Sequence, residues 1–142
     1  MSDVVDHVGI RVSDLDRSRI FYTAALAPLG FRLLYETVAP AAGFRSGREL
    51  PGRAQFACVS GSFSVVANGD HPTEHVHLAF AATDDETVER FHREATAAGY
   101  RDNGPPGERA VYHEGYYGAF VLDPDGNNVE AVWHAPGQIE PI

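Results

Sequence analysis

The chain contains an offset copy of its own pattern, and this constrains its fold more than any single motif. Set over one another, DHVGIRVSDL (6–15) and VHLAFAATDD (76–85) align at an offset of 70 residues. His7 falls on His77, Gly9 on Ala79, Ile10 on Phe80, Ser13 on Thr83 and Asp14 on Asp84. Farther along, Phe21 falls on Phe91 and Ala25 on Ala95. After a one-residue slip, LGF (29–31) matches AGY (98–100). The offset is about half of the 142 residues, too long for a solenoid unit of roughly 20–50 residues, and it implies a duplicated module.

Both copies carry the same local physics. HVGIRV alternates Val8, Ile10 and Val12 with His7, Gly9 and Arg11, and HLAFAA alternates Leu78 and Phe80 with His77 and Ala79. A period of two marks a strand with one buried face. Ser13 with Asp16, and Thr83 with Glu86, have the spacing of a helix-capping box. Val88, Phe91, Ala95 and Ala98 then recur at helical spacing, and Gly99 stands where a helix end takes a left-handed residue. The first helix is expected to end near Pro28 and Gly30.

FRLLYET (31–37), RAQFACV (53–59) and SFSVVA (62–67) read as strands, with Gly61 and Ser62 as the turn between the last two. YYGAFVL and NVEAVWH read as a hairpin closed by DPDGN, with Pro124 at the second position of a type I turn and Gly126 left-handed. Residues 38–52 and 101–115 read as long polar loops, and 136–142 as a loose tail. The expectation is one α+β domain over 1–142, with module one at about 1–70 and module two at about 74–135.

A hydrophobic fraction of 44% excludes a disordered chain. No run of about 18 apolar residues is present to span a membrane. The net charge of −9 argues against nucleic acid, whose binding rests on Lys and Arg contacts to phosphate, and favours a small-molecule substrate. Cys58 is the sole cysteine and cannot form an internal disulfide. The start, MSDVVDHVGI, lacks the basic and apolar regions of a secretion signal, so a cytoplasmic location is expected.

The chemistry concentrates on a few positions. In EHVHLAF, His75 and His77 share a strand face, but only His77 has a repeat partner, His7; His75 is expected at the rim. Gly9 and Ala79, next on the same faces, leave room for a ligand. Glu130 lies mid-strand between Val129 and Ala131, and a carboxylate there needs a partner. Two imidazoles and one carboxylate from three strands make a metal set with open positions, suited to Fe(II), with Mn, Co, Ni or Zn also accommodated. DPDGNNVE is not a calcium loop, because its Glu follows the Gly by four residues where an EF-hand needs Gly at 6 and Glu at 12. His113 and Tyr117, with Tyr116 beside it, are the acid–base candidates. Arg45, Arg48 and Arg53 are candidates to steer an anionic substrate.

HVGIRVSDLDRSRIFY, HLAFAATD and YYGAFVLDPDGNNVEAV, in that order and across essentially the whole chain, resemble the glyoxalase/bleomycin resistance protein/extradiol dioxygenase superfamily, the vicinal oxygen chelate fold. The resemblance implies two tandem βαβββ modules forming a cupped, partly open mixed sheet. It implies a divalent metal held by His7, His77 and Glu130, and a homodimer. Two departures qualify the activity. SFSVVA lacks the fourth, acidic ligand of glyoxalase I enzymes. Phe120 stands where extradiol dioxygenases carry a tyrosine, although His113 matches a histidine of theirs. The expected function is a metal-dependent lyase, isomerase or dioxygenase acting on a substrate chelated through neighbouring oxygens. The alternatives are sequestration of an antibiotic in the cup, and a structural dimer module with a vestigial site.

Overall fold

The computed structural model describes residues 5–37, 52–67, 69 and 71–137. Module one runs β1 (His7–Arg11), α1 (Leu15–Leu26), a single 3-10 turn (Ala27–Leu29), β2 (Arg32–Thr37), β3 (Gly52–Cys58) and β4 (Gly61–Ala67). Module two runs β5 (His77–Ala81), α2 (Asp85–Ala97), β6 (Arg101–Glu108), β7 (Tyr116–Leu122) and β8 (Asn128–His134). The strands form two four-stranded sheets ordered β1-β4-β3-β2 and β5-β8-β7-β6, so each copy is a βαβββ unit with its first strand at a sheet edge. In each sheet the first strand is parallel to the last and the other neighbours are antiparallel.

The duplication extends to hydrogen-bond register. His7 pairs with Ser62 and Gly9 with Ser64; His77 pairs with Asn128 and Ala79 with Glu130. Ser64 therefore occupies in module one the position that Glu130 occupies in module two.

One apolar core serves both modules. Phe21, Tyr22, Phe56, Phe63, Val65, Phe91, Val121 and Val129 are among its fully buried members. The Tyr22 and Phe63 rings lie 4.8 Å apart, and Phe63 meets Phe80 of module two edge-on at 5.4 Å. Phe21 meets Tyr100 in the same way at 4.7 Å. The alternating residues of each strand point to the other sheet face, where the candidate site residues sit.

DPDGN locks the modules together. Asp123, 4% exposed, accepts from the Tyr22 hydroxyl at 2.7 Å and from the backbone N–H groups of Asp125 and Asn127, both at 2.9 Å. Asn127 donates to the Thr73 carbonyl and accepts from Val76 N–H, while Asp125 accepts both the backbone N–H and the hydroxyl of Ser13. The turn has the expected form, with Gly126 at φ 84° and its N–H on the Asp123 carbonyl. Its polar side chains serve the architecture.

Three local expectations shift. The segment 101–115, read as loop, begins with strand β6. RDNGPPGE has no apolar alternation because it is an edge strand, where proline is tolerated, and its pairing with β7 is interrupted at Gly104. The helix caps are Asp14 and Asp84, accepting from Arg17 and Thr87 N–H, one residue beyond Ser13 and Thr83. Aspartate is at least as good a cap as a hydroxyl, and the Ser13 hydroxyl is taken by Asp125. The β3–β4 turn is Val59-Ser60. Gly61 already pairs with Cys58, and a Cβ there would come within 2.8 Å of the Asp6 carbonyl. Gly30 and Gly99 end their helices at φ 86° and 93°, as expected. Arg45 and Arg48 lie outside the described residues.

Candidate metal centre

The hairpin β7–β8 fixes which side chains share a face. Tyr116 pairs with His134, Gly118 with Val132 and Phe120 with Glu130, while Ala79 of β5 flanks Glu130 on its other side. Even-numbered residues of the hairpin therefore face the same way as His77, and odd-numbered ones, such as Ala119, Val129 and Ala131, enter the core.

Glu130 is completely buried. A carboxylate in that position needs donors on both oxygens, and it has them. His77 Nε2 lies 2.7 Å from Oε2, and the Tyr116 hydroxyl donates to Oε1. Burial first, and then the bond to Glu130, push the Tyr116 hydroxyl above the ordinary phenol range, so it stays a donor at any physiological pH. Gly118 is the reason the carboxylate fits: a Cβ there would stand 2.9 Å from Glu130 Oε1 and 3.2 Å from the Tyr116 ring. The His77 side chain is 52% exposed, so the pair is open to solvent on one side.

Tyr117 points away. Its hydroxyl donates to Glu89 on α2 at 2.8 Å, and burial together with that partner pushes it up to about 12. Tyr116 is the tyrosine that reaches the carboxylate. His113 stands at the rim, with its ring 5.3 Å from that of Tyr116. Its Nδ1–H donates to the Glu114 carbonyl at 2.8 Å, and its Nε2 lies 3.0 Å from His134 Nδ1. Burial first, and then His113, hold His134 below the usual imidazole range.

His7 is elsewhere. It lies on β1 with its side chain 70% exposed and hydrogen-bonded to Asp6 at 2.7 Å. Among the described residues no three metal-capable side chains converge. The chain thus joins two of the three expected ligands and leaves the third apart. An imidazole nitrogen and a carboxylate oxygen facing each other at an open edge are a suitable donor pair for a borderline divalent ion, but an incomplete set. His75 is exposed and in a left-handed conformation (φ 58°), as fits a rim residue.

A cavity of about 590 Å³ opens between the edge strands β1 and β5. Its lining is mostly apolar, including Val8, Phe31, Phe63, Leu78 and Phe80, and it is bounded by His7 but by neither His77 nor Glu130. Among the described residues no helix is long and apolar enough to cross a membrane.

A family model described as the Glyoxalase/Bleomycin resistance protein/Dioxygenase superfamily matches residues 4–131. Among curated proteins none matches the sequence. Among solved structures, a glyoxalase/bleomycin resistance protein from Albidiferax ferrireducens T118 is 30% identical, with 92% of this chain and 98% of that one covered and a TM-score of 0.68. A variant of the fosfomycin resistance protein FosX from Listeria monocytogenes, complexed with Mn(II) and dihydroxypropylphosphonic acid, is 20% identical over 92% of each chain, with a TM-score of 0.64. Glyoxalase I from Zea mays is 22% identical and has a TM-score of 0.64; the match covers 89% of this chain and 43% of the plant one. At these lower identities the likeness is one of fold.

Proposed function

Because the chain belongs to the glyoxalase/bleomycin resistance protein/dioxygenase superfamily, we propose that it is a metal-dependent enzyme acting on a small substrate through two neighbouring oxygens, in a site shared between two copies of the chain. His77 and Glu130 of one copy supply two ligands, and His7 of a second copy supplies the third. The observation that carries this reading is the fully buried Glu130, held by His77 on one oxygen and Tyr116 on the other, with its third partner stranded on another sheet.

The pairing has physical support. Strands β1 and β5 are sheet edges, and an edge can meet another chain; on β1 only Arg11, bonded to Thr73, is covered among the described residues. Val5, Val8 and Val59, beside His7 at the cavity, are exposed apolar side chains that association would cover. When bound, a divalent ion supplies Lewis-acid polarisation of the substrate's oxygens. The protein's own groups do the rest. Tyr116 fixes the orientation of the Glu130 carboxylate, as outer partners of metal ligands do. The hydrogen-bonded His113 and His134 at the rim can pass a proton between the site and solvent. The absence of an acidic residue at Ser64 leaves three protein ligands, fewer than in glyoxalase I.

The test is metal stoichiometry in protein purified without a histidine tag. His7→Ala, His77→Ala and Glu130→Ala each lose bound Mn(II), and His75→Ala keeps it. Mixing His7→Ala with Glu130→Ala subunits under exchange restores about a quarter of the sites if the centre is shared in a twofold dimer. No recovery in the mixture refutes sharing, and full metal binding by His77→Ala refutes the centre. A second reading, sequestration of an apolar ligand, draws on the 590 Å³ cavity; tight binding of such a ligand by metal-free protein, without turnover, would favour it.

A further inference from the structure

The face of module two that carries His77 and Glu130 also carries a fixed cation. Arg109 follows β6, and its backbone N–H bonds the Tyr116 carbonyl at 2.7 Å, which sets its side chain on the Tyr116–Phe120 face. The guanidinium carbon sits 5.6 Å from the centroid of the Phe120 ring. Nη2 donates to the Pro105 carbonyl at 2.7 Å, so the side chain is tied at its far end as well as held over the ring. Room for it comes from Gly107, where a Cβ would lie 2.9 Å from Nη1. Phe120 is fixed in turn: a Cβ at Gly104 would come within 2.8 Å of its ring.

This cation has no carboxylate partner within ion-pair distance among the described residues. The carboxylate on the same face, Glu130, is already held by His77 and Tyr116. The His77 ring lies 6.1 Å from Phe120 on centroids, so the guanidinium and the imidazole flank one aromatic platform and are about 12 Å apart at most. A planar, half-buried guanidinium with one donor committed and others free is shaped for an oxyanion. It stands out in a chain whose net charge is −9.

We infer that Arg109 is the anion-recognition residue of the site, and that the substrate is a small molecule bearing a carboxylate or phosphonate-type group at one end and its chelating oxygens at the other. The anion lies against Arg109, and the oxygens reach the His77–Glu130 edge across that span of about 12 Å at most. Only the assignment of the chelating end rests on the proposed metal centre; the anion contact does not need it.

The experiment follows the side-chain Nε–H resonances of the arginines by ¹⁵N NMR as methylphosphonate and then glycolate are added, with 1,2-propanediol as the uncharged control. The parent shows a saturable shift of the Arg109 resonance with both anions and none with the diol. In Arg109→Met, which keeps an apolar stem over Phe120, affinity followed on the remaining resonances falls about tenfold or more, while Mn(II) affinity and melting temperature stay at parental values. Arg109→Lys, charged but without the fork, recovers part of the loss. Equal anion affinity in the parent and Arg109→Met, or no anion binding by the parent, overturns the inference. The two readings separate in the His77→Ala protein, which loses Mn(II) but keeps the Arg109 shift. A parent that binds anions through Arg109 but takes up no Mn(II) would refute the metal centre alone.

Discussion

Replacing Tyr22 with Phe removes one hydroxyl from the junction of the two modules, and the effect should depend on pH in a calculable way. The hydroxyl is buried and donates to Asp123 at 2.7 Å. A hydrogen bond to a buried charged acceptor contributes about 2 kcal/mol, and Asp123 keeps its bonds from Asp125 and Asn127, so the loss should stay near that figure at pH 7. For a chain of this size the melting temperature falls by about 6 °C. Burial first, and then the Asp123 charge, push Tyr22 well above its ordinary value in the folded protein. A raised folded value means that the stabilisation is complete below the unfolded tyrosine value near 10 and is lost as pH rises above it. At pH 11 the unfolded chain gains about 1.4 kcal/mol by ionising this tyrosine while the folded chain does not. Tyr22→Phe escapes that loss. The stability gap between parent and variant should therefore narrow from about 2 kcal/mol at pH 7 to about 0.6 kcal/mol at pH 11. Urea unfolding at both pH values measures it, and Tyr116 and Tyr117 cancel in the difference. A gap that does not narrow would show that Tyr22 ionises in the folded state, and the buried Tyr22–Asp123 contact would be wrong.

Two glycines that face equivalent sheet positions should respond differently to alanine. Gly9→Ala places a Cβ 2.9 Å from the Ser64 hydroxyl, which can rotate, so stability and Mn(II) binding should change little. Gly118→Ala presses on the buried Glu130 carboxylate and the Tyr116 ring, which cannot both move. Calorimetric titration with Mn(II) should show at least about a tenfold weaker site, and denaturation a loss of about 1–3 kcal/mol. Phe63→Ala removes a 1% exposed ring that touches both Tyr22 and Phe80 and should cost about 3–5 kcal/mol in urea unfolding, with both modules lost in one transition.

The fold was readable where burial imposes a period. Ile10 and Val12, Phe63 and Val65, and Val129 and Ala131 must alternate because one sheet face packs on the core, whereas Val8 at the start of β1 keeps the period but stays exposed. Strand β6 escaped because its partners make no such demand: RDNGPPGE is paired on one side only and holds two prolines and two glycines. Hairpin parity separates Tyr116 from Tyr117. Once DPDGN closes the hairpin, counting back from Glu130 pairs 120 with 130, 118 with 132 and 116 with 134. That parity puts Tyr116, Phe120 and His134 beside Glu130 and sends Tyr117 to Glu89. Arg109 carried no comparable signal, since its place over Phe120 depends on the bulges at Gly104 and Gly107.

The repeat itself was legible, but what it implies for the site runs opposite to simple intuition. Equivalent positions in two modules invite the expectation that His7 and His77 meet across one cup. The registers are equivalent, yet the residues opposite them are not: Ser64 faces Gly9 where Glu130 faces Ala79. Module one therefore offers an imidazole bonded only to the exposed Asp6 next to it in sequence, and module two offers an imidazole bonded to a buried carboxylate. Among the described residues neither sheet holds three ligands, and within one chain the two sheets share a core that keeps His7 away from His77 and Glu130. In the twofold pair proposed above, module one of each copy would meet module two of the other, so unlike halves would meet twice. In that arrangement the divergence of Ser64 and Glu130 costs no site. Each copy would complete the other's centre, and each centre would keep the open positions that a chelating substrate needs.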